Sequence, residues 1–208
     1  DTPDSQVVAD AGQSVVQVYG TAAQCAQNQT GSGFVAQPGT VVTNAHVVAG
    51  VDQPVVETRD GRVYPAQTVQ YDAASDLAVL RVPDLPEAPL PMQREVSPGE
   101  TVSFAGYPLG GPYTLRPATI QGEAVAPVQN VTTGETQTRS IIQIAGNVEQ
   151  GNSGGPLLDA DGQVVGVVFA KAVEGEAGYA IPVDRVTEIL ASAGDSTAPV
   201  PTGQCVAG

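Results

Sequence analysis

Tryptophan is absent from this sequence, histidine and methionine occur once each, and cysteine occurs twice. Aromatic residues make up only 4%, so any core must be packed from Val, Ala, Leu and Ile. Basic residues are scarce too. There are 8 Lys and Arg against 22 Asp and Glu, a formal net charge of −14. No Lys/Arg cluster occurs along the chain. Nucleic acid is excluded as a partner, because phosphate neutralisation needs grouped cations, and so is a peripheral patch for anionic membranes. No membrane span, signal peptide or transit peptide is visible. A single His leaves a zinc site to be completed by carboxylates, and no suitable cluster stands near it. No metal and no cofactor is expected.

What is present is Gly and Pro, 24 and 17 in 208 residues, between many short Val-rich runs. That composition favours a turn-rich β protein, as one domain or as two small lobes. A short helix is expected over residues 3–11, with Thr2 as N-cap and Pro3 at its first position. Strands are expected at Ser14 to Gly20, from Gly31, and at Thr40 to Thr43. Further strands fall at Val55 to Thr58 and Val63 to Val69, around the turn Arg59-Asp60-Gly61-Arg62, and at Leu77 to Val82. A Pro-rich connector, Pro83 to Pro98, separates two halves. Beyond it, strands are expected at Thr101 to Ala105, 114–128, 138–144, Val164 to Ala170 and Tyr179 to Ile181. Val183, Val186, Ile189 and Leu190 mark the apolar face of a terminal helix. The resulting division is a first lobe over 12–93, a second over 99–182, and a helix with tail over 183–208.

Cys25 and Cys205 lie near opposite ends of the chain. They are two buried thiols or one bridge. The bridge is favoured because the tail beyond Pro199 has little else to anchor it, and it would imply an oxidising compartment. The abrupt start at Asp1-Thr2-Pro3-Asp4 reads as a part of a longer exported protein.

Three short segments carry chemistry. Ser153 is flanked by Gly151-Asn152 and Gly154-Gly155, a run that permits a sharp turn and convergent backbone N–H groups. A serine nucleophile needs a base, and His46, at the end of the Thr40–Thr43 run, is the one imidazole in the chain. The imidazole in turn needs an orienting carboxylate. Asp76, at the head of Leu77-Ala78-Val79-Leu80, is preferred over Asp72, which sits in a more polar stretch. Gly151-Asn152-Ser153-Gly154-Gly155 also matches the nucleophile elbow of α/β-hydrolases. That arrangement places its His after the serine, whereas His46 precedes Ser153.

Thr43-Asn44-Ala45-His46-Val47-Val48, Asp76-Leu77-Ala78-Val79-Leu80 and Gly151-Asn152-Ser153-Gly154-Gly155-Pro156, in that order, resemble the trypsin-like serine proteases. The wording is most similar to the HtrA/DegP branch, as are Phe104 to Gly110 and Gly178 to Val186. The resemblance implies an all-β chymotrypsin-like fold of two six-stranded antiparallel barrels, with the site between them. It implies His46, Asp76 and Ser153 as the triad, and Gly151, Asn152 and Ser153 as the oxyanion hole. Asn147, Val148, Phe169 and Ala170 would form the substrate pocket, which lacks the acid that selects Arg or Lys. The partner implied is a protein or peptide substrate. Asn152 stands where digestive enzymes carry Asp, so activation by a freed N-terminus is not expected. The residues of this chain after 190 are too few for a PDZ domain, so HtrA-type trimerisation and PDZ-gated regulation are not expected. A Cys25–Cys205 bridge without a PDZ domain resembles the membrane-anchored periplasmic acid-resistance proteases of mycobacteria and relatives. That likeness implies a monomeric domain tethered through an N-terminal portion outside this chain. The competing reading is a catalytically latent peptide-binding module on the same fold.

Overall fold

The computed structural model describes residues 5–130, 133–171 and 176–205. Thr2 and Pro3, expected to open the first helix, lie outside them. Helix α1 (Ser5–Ala11) runs through a 3-10 turn into the first lobe. That lobe comprises β1 (Val15–Ala22), β2 (Gln27–Gln37), β3 (Thr40–Thr43), the one-turn helix α2 (Ala45–Val48), β4 (Val55–Glu57), β5 (Val63–Pro65), β6 (Gln67–Asp72) and β7 (Leu77–Arg81). The second lobe comprises β8 (Thr101–Gly106), β9 (Thr114–Gln129), β10 (Thr136–Ala145), β11 (Pro156–Leu158), β12 (Val164–Lys171) and β13 (Ala177–Pro182). Helix α3 (Val183–Ala193) follows it.

All the strand pairs within the two sheets are antiparallel. The second lobe is a closed barrel of six strands in the order β10-β13-β12-β11-β8-β9. The first is a seven-stranded sheet in the order β5-β4-β1-β2-β3-β7-β6. Its two outer strands are consecutive in the chain, separated by Ala66 alone. The run expected as one strand, Val63 to Val69, bends here. Its first part pairs with β4 and its second with β7. Pro65 has no amide to continue a ladder, and the Ala66 amide turns to the Pro54 carbonyl at 2.9 Å. Counted as one bent strand, β5 and β6 bring the lobe to six.

Each lobe has its own core, and a third cluster joins them. Val16, Val18, Val41, Val56, Ala78 and Leu80 fill the first lobe. Phe104, Ile120, Ile142, Ile144 and Leu157 fill the second. Between the lobes, Phe34, Val42, Leu77 and Val79 meet Tyr107, Ile141, Leu158, Val167 and Ile181. The strand period of two explains the split: along β3, Val41 faces its own lobe and Val42 the other. Strands buried on both faces read as continuous apolar runs, as Leu77 to Leu80 does. Burying a Phe or Leu in such a place contributes about 1.5–3 kcal/mol. Helix α3 seals the seam. Val186, Ile189 and Leu190 enter the shared cluster, and the helix touches β6 and β7 of one lobe and β12 and β13 of the other.

The Pro-rich connector crosses between the sheets in extended form. The Leu90 amide donates to Val35 of β2, and Pro91 and Gln93 bond to Val164 of β12. The prolines fall where the chain needs few donors. The tail after α3 returns over the first lobe, through Val200 to Thr68 and Thr202 to Gly50 and Val51. It ends in a disulfide between Cys205 and Cys25, with Cα atoms 6.4 Å apart.

Candidate active site

His46 does not end a strand; it sits in α2, the single turn after β3. Asn44 precedes that turn but makes no side-chain cap to it. Asp76 does so through space: its Oδ1 accepts the His46 backbone amide at 2.9 Å, and its Oδ2 contacts His46 Nδ1 at 2.7 Å. One carboxylate therefore fixes both the main chain and the ring of His46. The Asn44 side-chain amide holds the Asp76 carbonyl at 2.9 Å. Asp76 adopts φ +58°, a left-handed conformation that Asp tolerates better than most residues. It is 2% exposed, more deeply buried than its place at a strand head suggested. Asp72, the competing acid, caps its own turn through Ala74 and Ser75.

The Asp76 contact occupies Nδ1 and leaves Nε2 as the accessible basic nitrogen. Burial pulls the His46 pKa down, but the Asp76 charge and hydrogen bond outweigh it, so the net shift is upward from 6.5.

Ser153 arrives from the second lobe, in the loop before β11. Its hydroxyl donates to the Phe169 carbonyl at 3.5 Å. Its own carbonyl accepts the Ser32 amide at 2.8 Å. Gly31 lies between α2 and this loop: a Cβ there would meet Val47 Cγ2 at 2.5 Å and the Ser153 carbonyl at 3.0 Å. Strand β2 thus places the His46 turn beside Ser153. Within the loop, the Asn152, Gly154 and Gly155 amides donate to Glu149, Val168 and Asn152. The amides of Gly151 and Ser153 make no hydrogen bond among the described residues. Gly151 and Gly154 have φ of +96° and +92°, and any Cβ would strike Tyr107 and Ser32 respectively, so the loop requires glycine at both.

Asn147 is exposed while Val148 is buried against Gly178. Phe169 is 6% exposed, its ring 6.4 Å from that of Tyr179 and beneath the Arg139 guanidinium at 4.8 Å. Ala170 is half-buried beside it on β12. The pocket candidates are therefore split: Phe169 faces Ser153 with its main chain and packs its ring.

Three residues missed in the sequence bind this region together. Ser32 Oγ donates to the Gly151 carbonyl at 2.7 Å and accepts the Tyr107 amide at 2.9 Å. The Tyr107 hydroxyl, its pKa pushed up to about 12 chiefly by burial, donates to Val15 at 3.1 Å. Arg139 donates to the Ala74 carbonyl at 2.6 Å, tying β10 to the Asp76 turn. The faint signal for Ser32 is its position between Gly31 and Gly33, and for Tyr107 its place in the family-like segment Phe104 to Gly110; Arg139 leaves none.

The model of the trypsin-like peptidase domain matches residues 31–167. The chain is 42% identical over 207 residues to serine protease Rv3671c of Mycobacterium tuberculosis, covering 98% of this chain and 51% of that protein. It is 32% identical to the serine endoprotease DegS of Salmonella typhimurium, covering 91% of this chain and 57% of DegS. The chain thus spans about half the length of the curated relatives it matches. Among solved structures, the active form of the M. tuberculosis Rv3671c protease superposes with a TM-score of 0.93 at 40% identity, covering 99% of this chain and 91% of that one. Its inactive form gives 0.81 at 38% identity, covering 92% and 94%. Sequence motifs, two-lobed β fold and family match agree: the chain belongs to the trypsin-like serine proteases, in their HtrA branch.

Proposed function

We propose that this domain is a serine endopeptidase that hydrolyses peptide bonds of protein substrates through His46, Asp76 and Ser153. The observation that carries the reading is the contact of Asp76 with both the amide and Nδ1 of His46, beside a loop whose Gly151 and Ser153 amides are uncommitted. Ser153 Oγ attacks the scissile carbonyl while His46 Nε2 takes its proton. The carbonyl oxygen becomes an oxyanion, to which the Gly151 and Ser153 amides donate with Asn152 between them. His46 then protonates the leaving amine as the C–N bond breaks, leaving an acyl-enzyme on Ser153. Water, deprotonated by His46, releases the acid. Asp76 holds the tautomer and stabilises the imidazolium throughout.

The likeness to the active form of Rv3671c supports turnover, which requires the Ser153 hydroxyl to leave the Phe169 carbonyl for His46 Nε2. The disulfide supports an oxidising, extracytoplasmic setting. Relatives about twice as long support a further portion outside this chain; we extend the proposal to membrane anchoring through that portion, a periplasmic setting and a part in acid or stress resistance. The test is labelling with a fluorophosphonate, located by peptide mass spectrometry. A label on Ser153 that disappears in His46→Ala is expected. Folded wild-type protein that takes no label would instead establish the latent binding module.

A further inference from the structure

A cleft of about 570 Å³ opens on the outer face of the first lobe, lined by residues of β1, β2 and β4 and by Gly110. The strand period turns Val16, Val18 and Val56 into the core and Gln17, Tyr19 and Glu57 outward. Gln17 stands opposite both Glu57 and Ser32, and Tyr19 opposite Thr30. The row on that face of β2 is thus Asn28, Thr30 and Ser32, the last buried against the second lobe. Its last member bonds through its amide to the Ser153 carbonyl. Thr30 lies two residues back, roughly 6–7 Å along the strand.

Ser153 therefore stands between two flanks. On one is β12, where the Phe169 carbonyl receives its hydroxyl. On the other are β2 and the turn at Gly110, where the cleft lies. A substrate whose acyl side runs along β12 must send its leaving side the opposite way, along the β2 flank.

The lining has a definite chemical bias. Gln29 alternates to the other face of β2 and gives both donors of its amide to Val47 and Ala49. The Gln17 amide donates to Thr30 and Gly110. The Gln17 oxygen remains, beside the Glu57 carboxylate, the only charged group of the lining. Glu57 receives the Tyr19 hydroxyl at 3.3 Å, and none of the ion pairs among the described residues includes it. Burial of Tyr19, and then the Glu57 charge and hydrogen bond, hold the phenol protonated, so it stays a donor. Asn28 retains its amide N–H groups, its oxygen taken by Thr21. The free neutral capacity is thus mixed, with Asn28 and Thr30 as donors and Gln17 as acceptor, and the one charge is negative.

Building on the endopeptidase reading, we propose that this cleft is the subsite for the second or third residue after the scissile bond. Glu57 selects arginine or lysine there. A cationic side chain brings N–H donors to the Gln17 oxygen and gives the Glu57 carboxylate a charge-assisted partner.

The experiment is digestion of a peptide library derived from denatured proteins, with cleavage sites read by mass spectrometry. Sites are scored only where they vanish in Ser153→Ala. Arg and Lys should be enriched roughly fivefold at the second or third position after the cut, as suits a half-exposed charge pair. Glu57→Gln should abolish the enrichment, and Glu57→Lys should replace it with enrichment of Asp and Glu. Cleavage by wild type with no basic enrichment overturns the proposal, as does enrichment that survives in both variants. Absence of any Ser153-dependent cleavage overturns the endopeptidase reading instead.

Discussion

Ser32 and Gly151, 119 residues apart in sequence, are joined by a buried hydrogen bond of 2.7 Å from the serine hydroxyl to the glycine carbonyl. The bond orients the peptide that precedes Asn152 and Ser153, and the same hydroxyl accepts Tyr107 from the second lobe. Its main chain meets Ser153 through the amide and Thr43 through the carbonyl. Ser32→Ala would leave a buried acceptor and a buried donor unpaired. The expected cost is about 1–3 kcal/mol in denaturant unfolding, with slower fluorophosphonate labelling of Ser153. An unchanged unfolding midpoint together with an unchanged labelling rate would contradict this role.

His46 sets the direction of the pH response. Burial favours the neutral ring, but the Asp76 charge and hydrogen bond more than reverse it, so the pKa lies above 6.5. A general base must be neutral. Turnover of a small ester should therefore rise with pH through a midpoint above 6.5. Asp76→Asn removes the charge and lets an amide N–H face Nδ1, so the midpoint should drop and the plateau rate fall on the order of 10⁴-fold. The stability linkage runs the opposite way to the rate. A raised folded pKa stabilises the protein below the unfolded value, and that contribution is lost as pH climbs through the folded pKa. A rate profile flat down to pH 5 would rule out the plain triad mechanism. If the enzyme works in acid, an acid-favoured opening or loss of a blocking segment must supply it.

Asn152 is 1% exposed, and neither side-chain oxygen nor nitrogen has a hydrogen-bond partner. Asn152→Asp would bury a carboxylate at a place where the asparagine itself finds no donor. Such an acid has its pKa raised in the folded state. The penalty, on the order of 3 kcal/mol, should be full at pH 8 and shrink as the group protonates toward pH 5. Melting temperatures of the two proteins across that range decide it. A constant difference would mean the carboxylate has found a partner.

The Cys25–Cys205 bridge spans 180 residues. By the chain-entropy argument its removal should cost about 2–5 kcal/mol. Yet Val200 and Thr202 also hold the tail to the first lobe. Cys25→Ser/Cys205→Ser should therefore melt earlier while Ser153 still takes the fluorophosphonate. A doubly substituted protein with unchanged melting would show that those hydrogen bonds alone fix the tail.

Much of this was legible along the chain. Three motifs in order indicated the family, and the Val186, Ile189 and Leu190 spacing indicated α3. The thinly anchored tail favoured the bridge that the structure contains. What escaped was through-space. Nothing local in Asp76 reveals that it serves the His46 amide as well as the ring. Ser32, Arg139 and Glu57 acquire partners only when strands distant in sequence are set side by side. The bend at Ala66 was hidden because Val63 to Val69 is a sound strand by composition. Only the lack of an amide at Pro65, read with the ladder on either side, explains why it pairs twice.

That bend has a consequence for fidelity of folding. Both outer strands of the first sheet hang from Ala66, so their offsets against β4 and β7 are coupled. Sliding β5 by one residue would pull on β6, whose register against β7 already shifts once at Val69. A misfolded lobe with one margin correct and the other shifted is thereby disfavoured. His46, Asp76 and the row from Asn28 to Ser32 inherit their spacing from a sheet whose two margins are proofread against each other.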